Sequence, residues 1–257
     1  MHKRFFLLLI TAILAILVNS GCHSQNETWQ RIAESGVLRV GLDPTYPPFE
    51  VADGSGNVSG LDVDLAHALA KELGLRVQLS HFGYDGLYAA LATGQVDVLI
   101  SAMVIVPGRT KDFAYSDPYF NAGEILIVPA ENEDITEMAD LNGRSLSVEL
   151  GAQGHVEAAQ WVKKLPDLTV VSFSSPEEVL TAVGNTTDAA IIDSINGRLF
   201  LKDHPELKRL SDPVTVEPFA LVVRAEDEQL LQKLNAALDN LTQSDQLETI
   251  ISRWLAP

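Results

Sequence analysis

The chain has 257 residues, 46% of them hydrophobic, and its 35 acidic and 18 basic side chains give a formal net charge of −17 at pH 7. This acidic balance argues against binding to nucleic acid, because a phosphate backbone is bound mainly through Lys and Arg. The single cysteine excludes an intramolecular disulfide framework and a cysteine-rich zinc site, while the length allows one large domain or two smaller ones at roughly 100–200 residues each.

The first 21 residues have the pattern of a secretory signal peptide: a basic cap, an apolar run over residues 5–18, and small residues before Cys22. The apolar run is too short to span a bilayer, which takes roughly 20 residues. The position of Cys22 resembles a bacterial lipobox, although Asn19 stands where that motif usually has an aliphatic residue. We expect cleavage before Cys22, lipidation of Cys22, a polar tether over residues 22–28, and a periplasmic or otherwise extracytoplasmic protein. The alternative is an ordinary secreted protein with an incidental cysteine.

Strand and helix patterns alternate along the rest of the chain. The predicted strands cover residues 37–42, 76–79, 96–100, 144–148, 169–173 and 189–192. The predicted helices cover residues 61–73, 85–93 and 155–164, together with a fourth that begins at Pro176. Ser175 precedes that helix as its N-cap, and Glu178 stands where a capping box requires it. Repeated strand–helix–strand units predict an α/β protein with parallel sheets covered by helices.

Two segments share one pattern: an apolar helix, a polar turn, an aspartate and an apolar strand. They are Leu87 to Ser101 and Leu180 to Asp193. The repetition indicates that each half of the chain builds its own open sheet and presents side chains where a strand ends. Ligands bind at that edge of open α/β sheets, so two such halves facing each other would form a cleft.

Three motifs, in order, carry a resemblance to a known family. The first, DPTYPPFE, spans Asp43 to Glu50; the second, GLDVDLA, spans Gly60 to Ala66; the third runs from Arg109 to Tyr119 and ends in YSDPY. Behind a signal sequence, they closely resemble the bacterial extracellular solute-binding proteins of family 3, the amino-acid receptors of ABC importers. The resemblance extends over residues 31–255.

The resemblance implies the two-lobed periplasmic-binding-protein-like fold of type II. Each lobe is expected to be an open, mostly parallel sheet flanked by helices, and two hinge strands are expected to join the lobes. Residues 29–121 together with 221–257 would form the first lobe, and residues 122–220 the second. An amino acid would bind in the cleft, and the lobes would close on it by hinge motion.

Two charged residues are expected, from the resemblance, to hold the ligand's zwitterion. Arg109 matches the family position that grips the carboxylate, which a guanidinium does with two parallel hydrogen bonds in a fixed plane. Asp193 matches the position that accepts from the ammonium group. The two come from opposite lobes, so only the closed form satisfies both ends of the ligand. The structural alternatives are a surface arginine and, for Asp193, the N-cap of a helix over Ser194 to Leu201.

Further positions match the family in its aromatic and acidic residues. Tyr46 and Tyr84 match positions whose rings enclose the ligand side chain in relatives, and such aromatic faces attract cations. Core packing is the alternative for both. Asp43 aligns with a carboxylate that can reach the distal cation in receptors for basic amino acids. The pair Asp62 and Asp64 is also a family signature, and we interpret it as charge favourable to the start of a helix, without a part in binding.

The sequence departs from the family pattern around the ligand carboxylate. After Ser101, relatives commonly carry further hydroxyl groups, but this chain has Ala102 and Val104, which leaves Ser101 as the only hydroxyl of the cradle. Where many relatives have a threonine, it has Gln153. We expect backbone N–H groups and Gln153 to serve the carboxylate instead, in a less polar cradle.

An enzymatic function on the same fold is the main alternative. Cyclohexadienyl dehydratases, which belong to this family, place a glutamic acid three residues after the strand-end aspartate, where it can act as general acid. This chain has Asn196 at that position, and an amide cannot donate a proton in that way. We therefore expect a binding protein without catalysis or cofactor, and without a metal site, since the six histidines show no metal-ligand spacing.

The expected protein is a monomeric receptor that captures an amino acid, of polar type, and delivers it to the permease subunits of an ABC transporter. Its only contact with the membrane would be the lipid at Cys22, and nucleic acid is not expected as a partner. The same fold also serves as a sensory module. Because no transmembrane helix or kinase sequence follows the lobes, that alternative is a free protein that presents its ligand to a sensor.

Overall fold

The computed structural model describes residues 27–255. The predicted signal peptide and Cys22 lie outside these described residues. The described helices are α1 Glu27–Ser35, α2 Leu61–Glu72, α3 Tyr84–Ala92, α4 Gln153–Trp161, α5 Pro176–Thr181, α6 Ser194–Leu201, α7 Glu228–Gln243 and α8 Gln246–Trp254, with 3-10 turns at Pro107–Arg109 and Met138–Leu141. None of these helices combines the length and the apolar character that crossing a membrane requires.

The strands form two five-stranded sheets and one small three-stranded sheet. They are β1 Val37–Leu42, β2 Thr45–Tyr46, β3 Glu50–Ala52, β4 Val58–Ser59, β5 Arg76–His81, β6 Val98–Leu99, β7 Phe113–Asn121, β8 Glu124–Pro129, β9 Ser145–Glu149, β10 Thr169–Phe173, β11 Ala189–Asp193, β12 Leu207–Arg209 and β13 Pro218–Arg224. We call the part of the protein built on β1 the first lobe and the part built on β9 the second lobe.

The two large sheets have the same plan. The first has the strand order β5-β1-β6-β13-β7, in which only β13 runs against the other four strands. The second has the order β10-β9-β11-β8-β12, in which only β8 is reversed. Helices connect the parallel strands, as the alternating sequence pattern predicted. The predicted fold class, a two-lobed α/β protein with open and mostly parallel sheets, is confirmed.

The reversed strands are those that follow the two crossings between the lobes. The chain passes from β7 to β8 through residues 122–123 and returns to β13 through residues 210–217. Asn121 links both crossings: its Oδ1 accepts from the backbone N–H of Gly123 at 3.2 Å and of Glu217 at 2.6 Å, and its Nδ2 donates to the carbonyl of Thr215 at 3.2 Å. The exact division of the chain between the lobes stays a prediction.

The repeated sequence pattern corresponds to the same aspartate–backbone hydrogen bond in both lobes. In the first lobe, the carboxylate of Asp97, just before β6, accepts from the backbone N–H of Arg39 on β1 at 3.0 Å. In the second lobe, Asp188, just before β11, accepts from the backbone N–H of Ser145 on β9 at 2.7 Å. Each aspartate therefore ties the start of its strand to the neighbouring parallel strand, and the ends of these strands face the same edge of their sheet.

Each large sheet has its own hydrophobic core. In the first lobe, α2, α7 and α8 pack on the sheet through buried side chains such as Leu65, Leu234 and Ile251. In the second lobe, Leu146 and Ile191 belong to a separate buried cluster. Full burial of one such side chain contributes roughly 1.5–3 kcal/mol, so each lobe has the means to hold its strand ends in place.

A further contact joins the lobes at α6, which directly follows β11. Ile195 on α6 packs against the hydrophobic core of the first lobe. The ammonium of Lys202 donates to the carbonyl oxygens of Arg253 at 3.2 Å and Trp254 at 2.8 Å, at the carboxyl end of α8. The second lobe is therefore positioned by this helix as well as by the two crossings.

Candidate functional site

A cavity of about 360 Å³ opens where the parallel strands of the first lobe end. Its size is within the range of small-molecule pockets, roughly 300–1,000 Å³. The lining residues come from the loops after β1 and β6, the start of α3, the small sheet and the returning crossing: Asp43, Thr45, Tyr46, Glu50, Tyr84, Ser101, Ala102, Val104, Glu217 and Phe219. Six of the residues predicted for the site are among them, namely Asp43, Tyr46, Tyr84, Ser101, Ala102 and Val104.

Two half-exposed tyrosines supply the aromatic surface of the cavity. Tyr46 is 45% exposed and Tyr84 is 51% exposed. The ring of Tyr46 stacks on that of Phe49, with centroids 5.6 Å apart and planes 10° apart. Phe49 is fully buried and makes edge contacts with Phe120 and Phe219, each at 5.3 Å. Core packing, the alternative considered for the tyrosines, therefore describes Phe49. Tyr46 stacks on Phe49 with one face of its ring, and its other face is free.

Asp43 and Ser101 form a hydrogen-bonded network beneath these rings. The carboxylate of Asp43 accepts from the backbone N–H of Tyr84 at 2.8 Å and from the hydroxyl of Thr45 at 2.9 Å. The hydroxyl of Ser101 accepts from the N–H of Asp43 at 3.0 Å and donates to Glu50 at 2.6 Å. Asp43 thus fixes the start of α3, and Ser101 is engaged both as donor and as acceptor.

Glu50 is a lining residue that the sequence reasoning did not select. It is 1% exposed, and burial, followed by the neighbouring carboxyl group of Asp62, raises the pKa of Glu50 to about 10. Glu50 is therefore a neutral acid at pH 7 beside the carboxyl group of Asp62. Within residues 27–255, Oε2 of Glu50 and Oδ1 of Asp62 have no hydrogen-bond partner. Its position inside the motif DPTYPPFE, directly after a buried phenylalanine, was the available signal.

Asp62 and Asp64 lie in the first turn of α2, where the helix-start interpretation placed them, but Asp62 also has a second role. Asp62 is fully buried, and its Oδ2 accepts from the backbone N–H of Ala102 at 2.6 Å. Ala102 has a φ of 45°, a left-handed conformation that costs energy for a residue with a side chain. Asp62 therefore holds the turn after β6 in place, and the N–H of Ala102 is not directed to a ligand carboxylate. Asp64 is paired on the surface with Arg253 at 2.7 Å.

Arg109 lies outside the cavity lining. It ends the 3-10 turn after β6, is exposed, and its guanidinium stacks 4.2 Å from the ring centroid of Tyr88. Burial raises the pKa of Tyr84, and the positive charge of Arg109 opposes this shift. Arg109 therefore lies close to the side of the cavity that carries the tyrosines. Within residues 27–255, no carboxylate forms an ion pair with Arg109.

The second-lobe residues also lie outside the cavity lining. Asp193 caps α6: it accepts from the backbone N–H of Asn196 at 2.9 Å and from the side-chain amide of Asn196 at 2.8 Å. This is the structural alternative considered for Asp193, and it leaves further lone pairs on the carboxylate. Gln153 is the exposed first residue of α4 and donates to Glu157 at 3.0 Å. The functional roles of Asp193 and Gln153 stay predictions.

Glu217, at the end of the returning crossing, and Phe219, near the start of β13, complete the cavity, and the sequence reasoning did not select them either. Their location at the predicted hinge was the available signal, since the base of a cleft lies at its hinge. Burial, followed by the charges of Asp193 and Glu217, raises the pKa of Tyr46. The second lobe therefore presents acidic groups towards this wall. Within residues 27–255, no group of three or more His, Cys, Asp or Glu side chains is arranged to hold a metal ion.

A sequence profile of the bacterial extracellular solute-binding proteins, family 3, matches residues 38–257. The chain belongs to this family. Among its relatives, an arginine-binding extracellular protein, ArtP of Bacillus subtilis, is 30% identical over 260 residues, covering 98% of each chain.

Two solved structures show how closely other family members share the fold of this solute-binding protein. The L-cystine solute receptor of Neisseria gonorrhoeae, in its unliganded open conformation, is 25% identical and has a TM-score of 0.76, with 88% of this chain and 96% of that chain covered. An ancestral cyclohexadienyl dehydratase is 26% identical and has a TM-score of 0.76, with 87% of this chain and 94% of that chain covered.

Proposed function

We propose that this solute-binding protein is the receptor of an ABC importer and that it captures an amino acid between its lobes. The observation that carries the proposal is the cavity wall on the first lobe. It combines two tyrosine faces with a neighbouring guanidinium, Arg109, that forms no ion pair with any described carboxylate. A small molecule that carries both a carboxylate and an ammonium group fits this combination.

Closure of the lobes completes the site. Arg109 binds the ligand carboxylate with its planar pair of donors, and Asp193 and Gln153 approach from the second lobe. In the present structure these second-lobe residues do not line the cavity, and the likeness to an unliganded open receptor supports an open arrangement. A ligand that contacts both lobes only in the closed form stabilises that form by its differential affinity.

A basic amino acid is the ligand class that the charges favour. Asp43 and Glu217 line the cavity, and Asp193 acts on Tyr46 from the second lobe. The faces of Tyr46 and Tyr84 attract a guanidinium or ammonium group, with about 0.5–2 kcal/mol each. The arginine-binding relative from Bacillus subtilis supports the same class.

The cellular setting follows from the same proposal. The family is extracellular, so we propose a periplasmic or extracytoplasmic receptor that works as a monomer and docks onto permease subunits. Lipidation of Cys22 would keep the receptor at the membrane surface, where the permease lies.

A dehydratase activity is the second candidate, because an ancestral cyclohexadienyl dehydratase has the same fold. Asn196 occupies the position of the general acid, and both its backbone N–H and its side-chain amide donate to Asp193. This residue cannot protonate a leaving hydroxide. Consumption of prephenate by the purified protein would overturn the binding-protein proposal.

The direct test is a thermal-shift screen with the twenty amino acids and their des-amino analogues. A ligand that binds only the native state stabilises it, by about 2.7 kcal/mol at a concentration of 100 times Kd. We expect the largest shift with a basic amino acid. No shift with any amino acid would contradict the proposed function.

A further inference from the structure

Glu124 is a second buried carboxyl group at the predicted ligand edge of the second lobe. It is the first residue of β8, directly after the chain has crossed from the first lobe. It is 6% exposed, and among the side-chain hydrogen bonds within residues 27–255 none involves its carboxyl group. Glu124 pairs in register with Asp193 on β11, so the two carboxyl-bearing residues are direct neighbours across the sheet.

The surrounding backbone leaves room for this carboxyl group. Gly154, in the first turn of α4, lies against it: a methyl group on Gly154 would be 2.9 Å from Oε2 of Glu124 and 2.6 Å from the side chain of Ile191. Only glycine avoids both contacts. The carboxyl group therefore occupies a gap between β11 and the start of α4, beside the strand ends where open α/β sheets bind ligands.

The charged groups that act most strongly on Glu124 are acidic. They are Asp193 on β11, Glu157 on α4, Glu149 on β9 and Glu217 on the returning crossing. Burial, followed by these charges, raises the pKa of Glu124 to about 7. Burial and these charges disfavour the ionised form of Glu124, and groups with strongly shifted pKa values cluster at functional sites.

We propose that Glu124 is a specificity-determining residue that, together with Asp193, binds the ligand's α-ammonium group in the closed cleft. The proposal depends on the receptor function proposed above. Asp193 already accepts two hydrogen bonds from Asn196, whereas Glu124 has its acceptor sites free for an ammonium group with three donors. Two carboxylates on one ammonium group also exclude ligands that have a carboxylate alone.

The proposal links binding to a proton. A bound ammonium group favours the ionised form of Glu124, so binding releases a proton when the free protein carries one, below about pH 7. Affinity for an α-amino acid should therefore rise with pH between about pH 5.5 and pH 8.5. A des-amino ligand lacks the group that causes this linkage, and its affinity should not rise in the same range.

Isothermal titration calorimetry of the purified protein tests this with two probes, L-arginine and its des-amino analogue 5-guanidinopentanoic acid. Glu124→Gln should weaken binding of L-arginine about tenfold or more near pH 8.5 and clearly less near pH 5.5. Binding of the analogue should change by less than about twofold. Glu133→Gln, at an exposed position after the opposite end of β8, is the matched control and should leave the affinity for both probes within about twofold.

A stability measurement separates this role from packing. Because the pKa of Glu124 in the folded protein is raised, the native state favours the protonated form, and stability is lost as pH rises through about 7. Glu124→Gln removes that loss, so the ligand-free variant should melt above the wild type near pH 8.5, whereas a packing residue would lose stability.

The possible outcomes separate the two proposals. If wild type binds L-arginine and Glu124→Gln binds it equally well at both pH values, or loses both probes equally, the role of Glu124 is refuted while the receptor function stands. If wild type binds no amino acid, the receptor function fails and the role of Glu124 falls with it.

Discussion

The two lobes differ in how they hold the carboxyl groups at the predicted ligand edges of their sheets. In the first lobe, Asp43 and Asp62 accept from backbone N–H groups, and Glu50 accepts from a serine hydroxyl. In the second lobe, none of the side-chain hydrogen bonds within residues 27–255 involves the carboxyl group of Glu124, and Asp193 accepts only from Asn196, three residues along the chain. Each of these first-lobe carboxyl groups is therefore engaged by its own lobe through at least one hydrogen bond, whereas the second lobe offers acceptor sites that a ligand can use on closure.

The largest effect is expected from removing one of these first-lobe carboxyl groups. Asp62→Ala leaves the buried N–H of Ala102 without its acceptor. We expect the free energy of unfolding to fall by about 1–3 kcal/mol, measured by urea denaturation. Asp64→Ala, on the same helix, is the control, because it removes contacts near the surface, with Arg253 and with the indole N–H of Trp254, and should cost less than about 1 kcal/mol. Equal losses in the two variants would contradict the difference that we assign to them.

The second prediction concerns the guanidinium beside the wall. Arg109→Lys keeps the charge but loses the planar pair of donors, so affinity for L-arginine should fall about 100-fold in calorimetry. The melting temperature should not change, because Arg109 is exposed. The control is Arg76→Lys, at an exposed position on β5, which should bind as wild type does. Wild-type affinity in Arg109→Lys would remove this residue from the site.

The third prediction tests the role of Asp193 in the second lobe. Asp193→Asn keeps a side chain that can cap α6 but removes the charge, so L-arginine should bind about tenfold more weakly. The des-amino analogue should bind with nearly unchanged affinity in calorimetry. Equal weakening of both ligands would mean that Asp193 acts only through α6 and not on the ammonium group.

The smallest effect is expected at Glu50, which is already neutral at pH 7. Its pKa in the folded protein is raised to about 10 from an ordinary value of 4.5, so the proton stabilises the native state, and that contribution declines as pH rises towards 10. Glu50→Gln mimics the neutral acid and should change the unfolding free energy by less than about 1 kcal/mol near pH 5. Its advantage over wild type should then grow with pH. A variant that loses stability more steeply than wild type above pH 8 would contradict a neutral Glu50.

Local sequence patterns predicted most of the fold. Ser175 caps α5 as expected, with its hydroxyl accepting from the N–H of Glu178 at 3.3 Å. The capping-box carboxylate of Glu178 reaches the N–H of Ser174 instead of Ser175. The helix predicted at 155–164 begins two residues earlier, at Gln153. Gly154 is a poor helix former, so the sequence pattern did not include it, but in the structure it fits against the strand ends.

The site was less accessible to sequence reasoning, for a physical reason. The burial of Glu50 and Asp62 depends on how the small sheet and α2 pack against the turn after β6, and no local pattern encodes that packing. Glu124 was missed for the same reason, since its neighbours come from β9, β11 and α4. The distance between Arg109 and Asp193 depends on the angle between the lobes, which neither residue determines.

Small-angle X-ray scattering of the purified protein, with and without saturating L-arginine, tests the central claim most directly. If a ligand completes the second lobe's half of the site, the lobes must close on it, and the radius of gyration must fall on saturation. Calorimetry on the same sample establishes that the site is occupied. Unchanged scattering from a fully occupied protein would contradict the account, because the ligand would then be bound by the first lobe alone.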